Sequence, residues 1–200
     1  MQMIAATKNK GKIREIENIF GKLGIEVVSA EDAGIDVEVE ETGSSFIENS
    51  LIKARSIAMF CDSIVLADDS GLCVDALGGR PGIYSARYAG EGASDSEKVA
   101  KLLEEMKGVT ERSAMFVTAA AVVFPDGREV TAMGEVRGYI LDAPEGNNGF
   151  GYDPVFYSRE LGKSFAMATD EEKNSVSHRS RALRALYEKI KDFPEMAENE

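Results

Sequence analysis

The hydrophobic period of this chain switches repeatedly along its N-terminal third, and that switching constrains the fold more than any other feature. Met3-Ile4-Ala5-Ala6-Thr7 is a short apolar run; after a polar turn, Ile13, Ile16, Phe20 and Leu23 recur every three or four residues, and Ile25 to Val28 is apolar again. A short continuous run predicts a strand and the wider spacing predicts one face of a helix, so the order is strand, loop, helix, strand. Ser45 with Glu48 has the spacing of a capping box and predicts a second helix reaching about Phe60. Ser63 to Ala67 then predicts a third strand whose C-terminal end carries Asp68 and Asp69. Strand-helix units in this order predict an α/β fold.

Gly71 to Gly92 is rich in glycine and turn formers and predicts mostly loop, after which Ser94 and Glu97 cap a helix through about Lys107. Ala114 to Phe124, the turn Pro125-Asp126-Gly127 and Glu129 to Ile140 predict a long hairpin. An irregular stretch, Ala143 to Pro154, precedes a short strand at Val155 to Tyr157, and a last helix runs from about Ser177 to Lys191. The acidic tail after Pro194 is expected to fray. No internal repeat or low-complexity linker interrupts the chain, so residues 1–200 are expected to form one domain with a mixed sheet and no clean boundary.

The chain has 200 residues, 44% of them apolar, which is enough for a core. Acidic residues outnumber basic ones by 35 to 23, a net charge of −12, and such a surface repels the phosphate backbone of nucleic acid. No polynucleotide partner is expected, although a polyphosphate could bind where basic residues gather locally. No run approaches the roughly twenty apolar residues that span a bilayer, and the N-terminus lacks the apolar core of a signal peptide. A soluble, cytoplasmic protein without a membrane partner is expected. Cys61 and Cys73 form no CxxC pair and have no histidine nearby in sequence, so both are expected to be reduced core residues.

Four constellations could carry chemistry. Thr7-Lys8-Asn9-Lys10-Gly11-Lys12 lies between the first strand and the first helix, where ammonium groups and helix N–H groups together would favour a phosphate chain. A solvated basic turn explains the same residues, and no GxxxxGK[ST] is present. The second is acidic, with Glu38, Glu40 and Glu41 before one helix and Asp68 and Asp69 after the next strand. Acidic clusters are often solvated surface, but carboxylates pinned behind an apolar strand need a partner, and Mg²⁺ is the natural one because it takes one or two carboxylates plus phosphates and water. The third, Gly146 to Pro154, places Phe150 and Tyr152 among glycines that could fold tightly around a flat base; turn chemistry accounts for it equally. The fourth, Glu171 to Arg179, holds Lys173, Arg179 and the single histidine, His178. One histidine without a GxSxG elbow gives a serine-hydrolase triad little support. A glycosidase carboxylate pair would leave the lysine-rich loop without a role.

In order along almost the whole chain, these blocks resemble the inosine/xanthosine triphosphate pyrophosphatase family. The likeness is carried by Thr7, Asn9 and Lys12, by ETGSSFIENSLIKA from Glu41, ADDSGLCVDALGGRPGIYSARYAGE from Ala67, GFGYDPVF from Gly149 and EEKNSVSHR from Glu171. Phe165-Ala166-Met167-Ala168 departs from it, since members often carry a glutamate and an apolar residue after the Phe-Ala; the change is expected to affect local packing more than chemistry. The resemblance implies an elongated mixed-sheet α/β fold of two lobes with a substrate cleft, a homodimer, and Mg²⁺-dependent hydrolysis of ITP, dITP and XTP to monophosphate and pyrophosphate. It implies Glu41 and Asp69 as metal ligands and Asp69 also as general base. Thr7, Lys8, Asn9, Lys10, Gly11, Lys12, Lys53 and Ser70 would meet the triphosphate and sugar. Phe150, Gly151, Tyr152, Asp153, Lys173, His178 and Arg179 would form the base pocket. A pyrophosphatase for another modified nucleotide, or a non-catalytic nucleotide sensor, is the alternative.

Overall fold

A computed structural model describes residues 2–196 of the chain. Its strands are β1 (Gln2–Ala5), β2 (Glu26–Ser29), β3 (Ile64–Val74), β4 (Ser113–Val123), β5 (Glu129–Ile140), β6 (Phe156–Ser158) and β7 (Lys163–Ser164). Its helices are α1 (Lys10–Phe20), α2 (Phe46–Ala58), α3 (Asp95–Glu105), α4 (Asp170–Val176) and α5 (His178–Ile190). The strands form one mixed sheet in the order β2-β1-β3-β4-β5-β6-β7. β1 runs parallel to both β2 and β3, whereas β6 runs antiparallel to β5 and β7. The chain divides into two compact units. Of the described residues, the first takes those through Asp69, Thr118–Gly134 and 179–196; the second takes Ser70–Val117 and Glu135–His178.

In the first unit, β1 and β3 are apolar on both faces, as parallel strands covered on two sides must be. Met3, Ala5, Ile64 and Leu66 pack with Ile16, Ile19 and Phe20 of α1 and with Ala182, Leu183 and Leu186 of α5. The intervening Ile4, Val65 and Ala67 pack with Ala54 and Ile57 of α2. Successive side chains on a strand point to opposite faces, so α1 and α5 cover one face of β3 and α2 covers the other. Ser45 caps α2 by accepting from the Glu48 N–H at 3.2 Å, but the Glu48 carboxylate turns to the Ser44 N–H and hydroxyl instead of closing the expected box on Ser45. After α1 a single 3-10 turn ends at Gly24, whose φ of 76° is the left-handed conformation glycine adopts without strain.

In the second unit, Leu72, Val74, Val99, Leu102, Met106, Val136 and Ile140 pack around an aromatic centre. Phe116 lies 4.6 Å from Phe156 and 5.9 Å from Phe165 between ring centroids, the second pair being stacked. Both capping-box interactions are present at the start of α3, with Ser94 and Glu97 reciprocating.

Three expectations need correction. β3 does not stop at Ala67 but stays extended through Val74, so Asp68 and Asp69 sit mid-strand, although beyond Leu66, the last residue paired with β1. The stretch expected to be mostly loop therefore begins with strand, and 3-10 turns at Asp75–Leu77 and Gly82–Arg87 follow. Cys61 and Cys73 are free thiols, as expected, but both are only half-buried, Cys61 packing against the core cluster beneath α2. Of the acidic tail, Pro194–Met196 forms a 3-10 turn, and residues 197–200 lie outside the described residues.

Phe156 is fully buried and touches both other rings of the aromatic centre. Phe156→Ala is expected to lower the unfolding free energy by about 3–5 kcal/mol in urea titration. A loss under about 1 kcal/mol would contradict this packing.

Candidate active site

Alternation along β3 sends its two consecutive carboxylates to different helices. Asp68 follows Ile64 and Leu66 onto the α1/α5 face. There its Oδ2 accepts from Arg179 Nε at 3.1 Å and lies 3.1 Å from Lys12 Nζ, and Arg179 Nη1 also donates to Glu15. Asp68 is 0% and Arg179 1% exposed. Burial alone would weaken the guanidinium's hold on its proton, but Asp68 and Glu15 outweigh it and raise the Arg179 pKa.

Asp69 follows Val65 and Ala67 onto the α2 face. Its Oδ2 accepts from Asn49 Nδ2 at 3.1 Å, and its Oδ1 lies 3.8 Å from Lys53 Nζ, which donates to Glu41 Oε1 at 2.6 Å. Burial raises the Asp69 pKa, and the Glu41 charge adds to it against the opposing pull of Lys53 and Lys12. The Lys12 pKa is lowered, chiefly by burial and further by Lys53 and Arg179, against Asp68 and Asp69. The first unit thus holds both a carboxylate inclined to take a proton and an ammonium inclined to release one.

Asn49 and Glu15 escaped sequence reasoning. The available signal was a polar residue within the buried stripe of a helix: Asn49 lies with Ser50, Ala54 and Ile57 on α2, and Glu15 with Ile16, Ile19 and Phe20 on α1. Asn49 Oδ1 also accepts from the Gly43 N–H at 2.8 Å, and a Cβ on Gly43 would stand 2.7 Å from that oxygen. Glycine is therefore needed there for close approach.

The lysine-rich turn is built around Asn9, the N-cap of α1. Its Oδ1 accepts from Gly11 N at 2.9 Å and Lys12 N at 3.1 Å, so those two helix donors are already satisfied by the side chain. Thr7 Oγ1 accepts from Asn9 N, Lys8 pairs with Asp36 at 2.8 Å in solvent, and Lys10 is exposed. Of the three lysines, Lys12 alone reaches the buried carboxylates.

The second unit gathers Phe150, Asp153, Lys173 and His178. Asp153 Oδ2 accepts from Phe150 N at 2.9 Å and from Lys173 Nζ at 2.7 Å, while Lys173 Nζ lies 4.7 Å from the Phe150 ring centre and 5.6 Å from that of Phe165. A Cβ on Gly149 would strike the Asp153 carboxylate, and its φ of 75° is left-handed, so this turn requires glycine. His178 is buried and stacks on Phe116 at 4.6 Å with 10° between planes. Tyr152 is buried and donates to the Ser85 carbonyl at 2.9 Å. Gly151 N donates to Asp95 Oδ2 at 2.6 Å, and Ser70 is half-buried on β3 immediately after Asp69. Arg179, expected beside the base-pocket residues, lies in the first unit with Nε and Nη1 on Asp68 and Glu15. At Phe165-Ala166-Met167-Ala168 the chain makes a 3-10 turn over Phe165–Met167, and Asn148 is held by the carbonyls of Ala166 and Ala168.

A mixed-sheet α/β protein with these two side-chain groups has close relatives. The chain belongs to the Ham1 family, whose model matches residues 3–189. It is 48% identical over 196 residues to the dITP/XTP pyrophosphatase of Bacillus anthracis, covering 96% of this chain and 97% of that one. To the dITP/XTP pyrophosphatase of Bacillus subtilis it is 46% identical over 187 residues, covering 92% and 94%. The Staphylococcus aureus Ham1 protein superposes with a TM-score of 0.85 at 41% identity, covering 96% of this chain and 98% of that one. A HAM1 protein from Coxiella burnetii gives 0.86 at 36% identity, covering 96% and 99%.

A carboxyl with a raised folded-state pKa binds its proton more tightly folded than unfolded, so its contribution to stability falls as pH rises through the ordinary carboxylate range. Asp69→Asn removes that loss. In metal-free protein the variant is expected to melt a few degrees above the unaltered chain at pH 7, the difference vanishing near about pH 3, where both forms of Asp69 are protonated. Scanning calorimetry that found the variant melting lower at pH 7 would contradict the assignment.

Proposed function

We propose that this protein hydrolyses deaminated purine nucleoside triphosphates, ITP, dITP and XTP, to the monophosphate and pyrophosphate, and so cleanses the nucleotide pool. The observation that carries the reading is Asp69: a buried carboxylate of raised pKa, held by Asn49 and flanked by Lys53 and Glu41. Relatives nearly half identical over almost their whole length bear the name dITP/XTP pyrophosphatase, which favours this substrate class over another modified nucleotide or a sensor.

Asp69 orients a water and takes its proton as the oxygen attacks the α-phosphorus, a role that suits a carboxylate whose pKa is moved toward neutrality. The bond to the bridging oxygen breaks and pyrophosphate leaves. Lys12 and Lys53 face the negative charge that grows on it. Thr7, Lys8, Asn9, Lys10, Gly11 and Ser70 complete the contacts with the triphosphate and sugar.

Glu41 and Asp69 fit Mg²⁺, being hard oxygen donors that converge on one cation, the Lys53 ammonium. Among the described residues no group of three His, Cys, Asp or Glu forms, and a two-carboxylate set suits an ion that completes its shell with substrate phosphates and water. Bound there, Mg²⁺ would neutralise charge on the leaving group.

Phe150 to Asp153, Lys173 and His178 recognise the base. A 6-oxo purine offers an acceptor at O6 and a donor at N1, which Lys173 or His178 and Asp153 complement; adenine inverts both and leaves buried polar groups unpaired. Arg179 is a further candidate donor to O6, oriented by its ion pair with Asp68. No helix among the described residues is long and apolar enough to cross a membrane. With the reading go a cytoplasmic location, beside the nucleotide pool, and a homodimeric state.

With Mg²⁺ and each of ITP, XTP, dITP, ATP and GTP in turn, ion-exchange analysis of products is expected to find monophosphate plus pyrophosphate from the first three and little from the last two. Asp69→Asn should lower kcat by about a hundred- to ten-thousand-fold while nucleotide affinity survives. Diphosphate plus orthophosphate would move the attack to the γ-phosphorus and overturn the mechanism, and near-normal kcat in Asp69→Asn would remove Asp69 from it.

A further inference from the structure

The turn from Gly149 to Asp153 is closed on itself by the Phe150 N–H on Asp153, a bond that shapes it without fixing it to the rest of the second unit. Beyond the backbone bonds that continue into β6 through the Tyr152 carbonyl, three bonds tie it to other elements. Lys173 of α4 holds Asp153, the Ser85 carbonyl holds the Tyr152 hydroxyl, and Asp95 holds the Gly151 N–H. The third differs in kind from the others because it grips the backbone at the tip of the turn, between the two aromatic side chains. It is also short, at 2.6 Å, as expected when the acceptor is ionised.

Asp95 is the first residue of α3, and its other oxygen, Oδ1, lies 2.7 Å from Lys98 Nζ one turn along the same helix. Burial would push the Asp95 carboxyl up, but Lys98 and the Gly151 N–H overcome it and hold its pKa low, so the acceptor is an anion at neutral pH. Gly151 has a φ of 63°, the left-handed conformation that directs its N–H to that carboxylate, and no atom lies near the position of a Cβ there. Around the bond, Val99, Leu103, Pro144 and Pro154 line a cavity of about 490 Å³ between α3 and the turn. Tyr152 shares the core with Val99 and Leu102, but across this space the hydrogen bond is the directional link from α3 to the tip of the turn.

We infer that Asp95 is a positioning residue for base selection, tethering the Gly149–Asp153 turn to α3 through the Gly151 N–H so that Phe150 and Asp153 meet the purine in one fixed arrangement. The inference rests on the proposed function and names a residue that acts on specificity without touching substrate.

The test compares three variants. Asp95→Ala removes the acceptor, Asp95→Asn keeps an acceptor oxygen, and Ser94→Ala weakens the cap of α3 while leaving the tether in place. Asp95→Ala is expected to raise KM for dITP about tenfold with kcat little changed and to narrow the kcat/KM ratio of dITP over dATP by several-fold. Asp95→Asn should restore most of both. Ser94→Ala should lower the melting temperature and leave KM and the ratio unmoved. Amide hydrogen exchange at Gly151, read without substrate, should accelerate at least tenfold in Asp95→Ala and not in Ser94→Ala. Unchanged exchange and unchanged KM in Asp95→Ala would overturn the proposal, as would an equal shift from Ser94→Ala, since α3 stability would then explain the effect. Lack of base preference in the unaltered protein would refute the functional reading itself, and the exchange rates would still decide whether the tether exists.

Discussion

Two consecutive residues in the middle of an extended strand cannot present their side chains to the same face, and the chemistry of the first unit depends on this. Asp68 and Asp69 are adjacent, identical and both buried, yet one is surrounded by α1 and α5 and the other by α2. Asp68 meets a guanidinium and an ammonium, each at 3.1 Å, within a set of buried ion pairs. Asp69 meets a neutral amide at hydrogen-bond distance and an ammonium only at 3.8 Å, so burial is the larger influence and its pKa rises. The same residue type thus becomes an ion-pair anchor at one position and a carboxyl of raised pKa at the next. The division follows from the pleat of β3 and from which helix covers each face.

Charge and aromatic surface are separated between the units. The first unit concentrates ammonium and carboxylate groups, Lys12 and Lys53 with Asp68, Asp69 and Glu41. The second builds its site from rings: His178 stacks on Phe116, and Lys173 lies over both Phe150 and Phe165 while donating to Asp153. A buried ammonium that satisfies a carboxylate and two ring faces is a rigid element, since moving it would forfeit all three contacts together. Tyr152, by contrast, points its hydroxyl at Ser85 and acts on the turn as a strut.

Much of the fold was legible because strong local signals agreed with the tertiary structure. The reciprocal Ser94 and Glu97 cap, the Pro125-Asp126-Gly127 hairpin turn and the early alternation of strand and helix all appear where their residue types predict. The failures have local causes. Ser70-Gly71 has the composition of a turn, so β3 appeared to end at Ala67; its continuation as Leu72-Cys73-Val74 is set by burial in the second unit, with Leu72 and Val74 in its core. α4 has only seven residues with no apolar periodicity, and the Thr169 and Glu172 capping box was its one available sign. In the candidate site the motif residues were visible as types, but their partners were not. Asn49, Glu15 and Asp95 are ordinary helix residues until the fold brings them to Asp69, Arg179 and Gly151. The Arg179 side chain shows the same limit, since nothing in its sequence neighbourhood announced its ion pair with Asp68.

The central claim is that Asp68 is an anchor whose partner is Arg179, distinct in role from its neighbour. A double-mutant cycle in urea tests it most directly, using Asp68→Asn, Arg179→Met and the two combined. Removing one member of a buried ion pair leaves the other uncompensated, so each single change should cost about 3–5 kcal/mol, and the combined change should cost clearly less than their sum. Single changes that leave stability intact, or effects that simply add, would contradict the account.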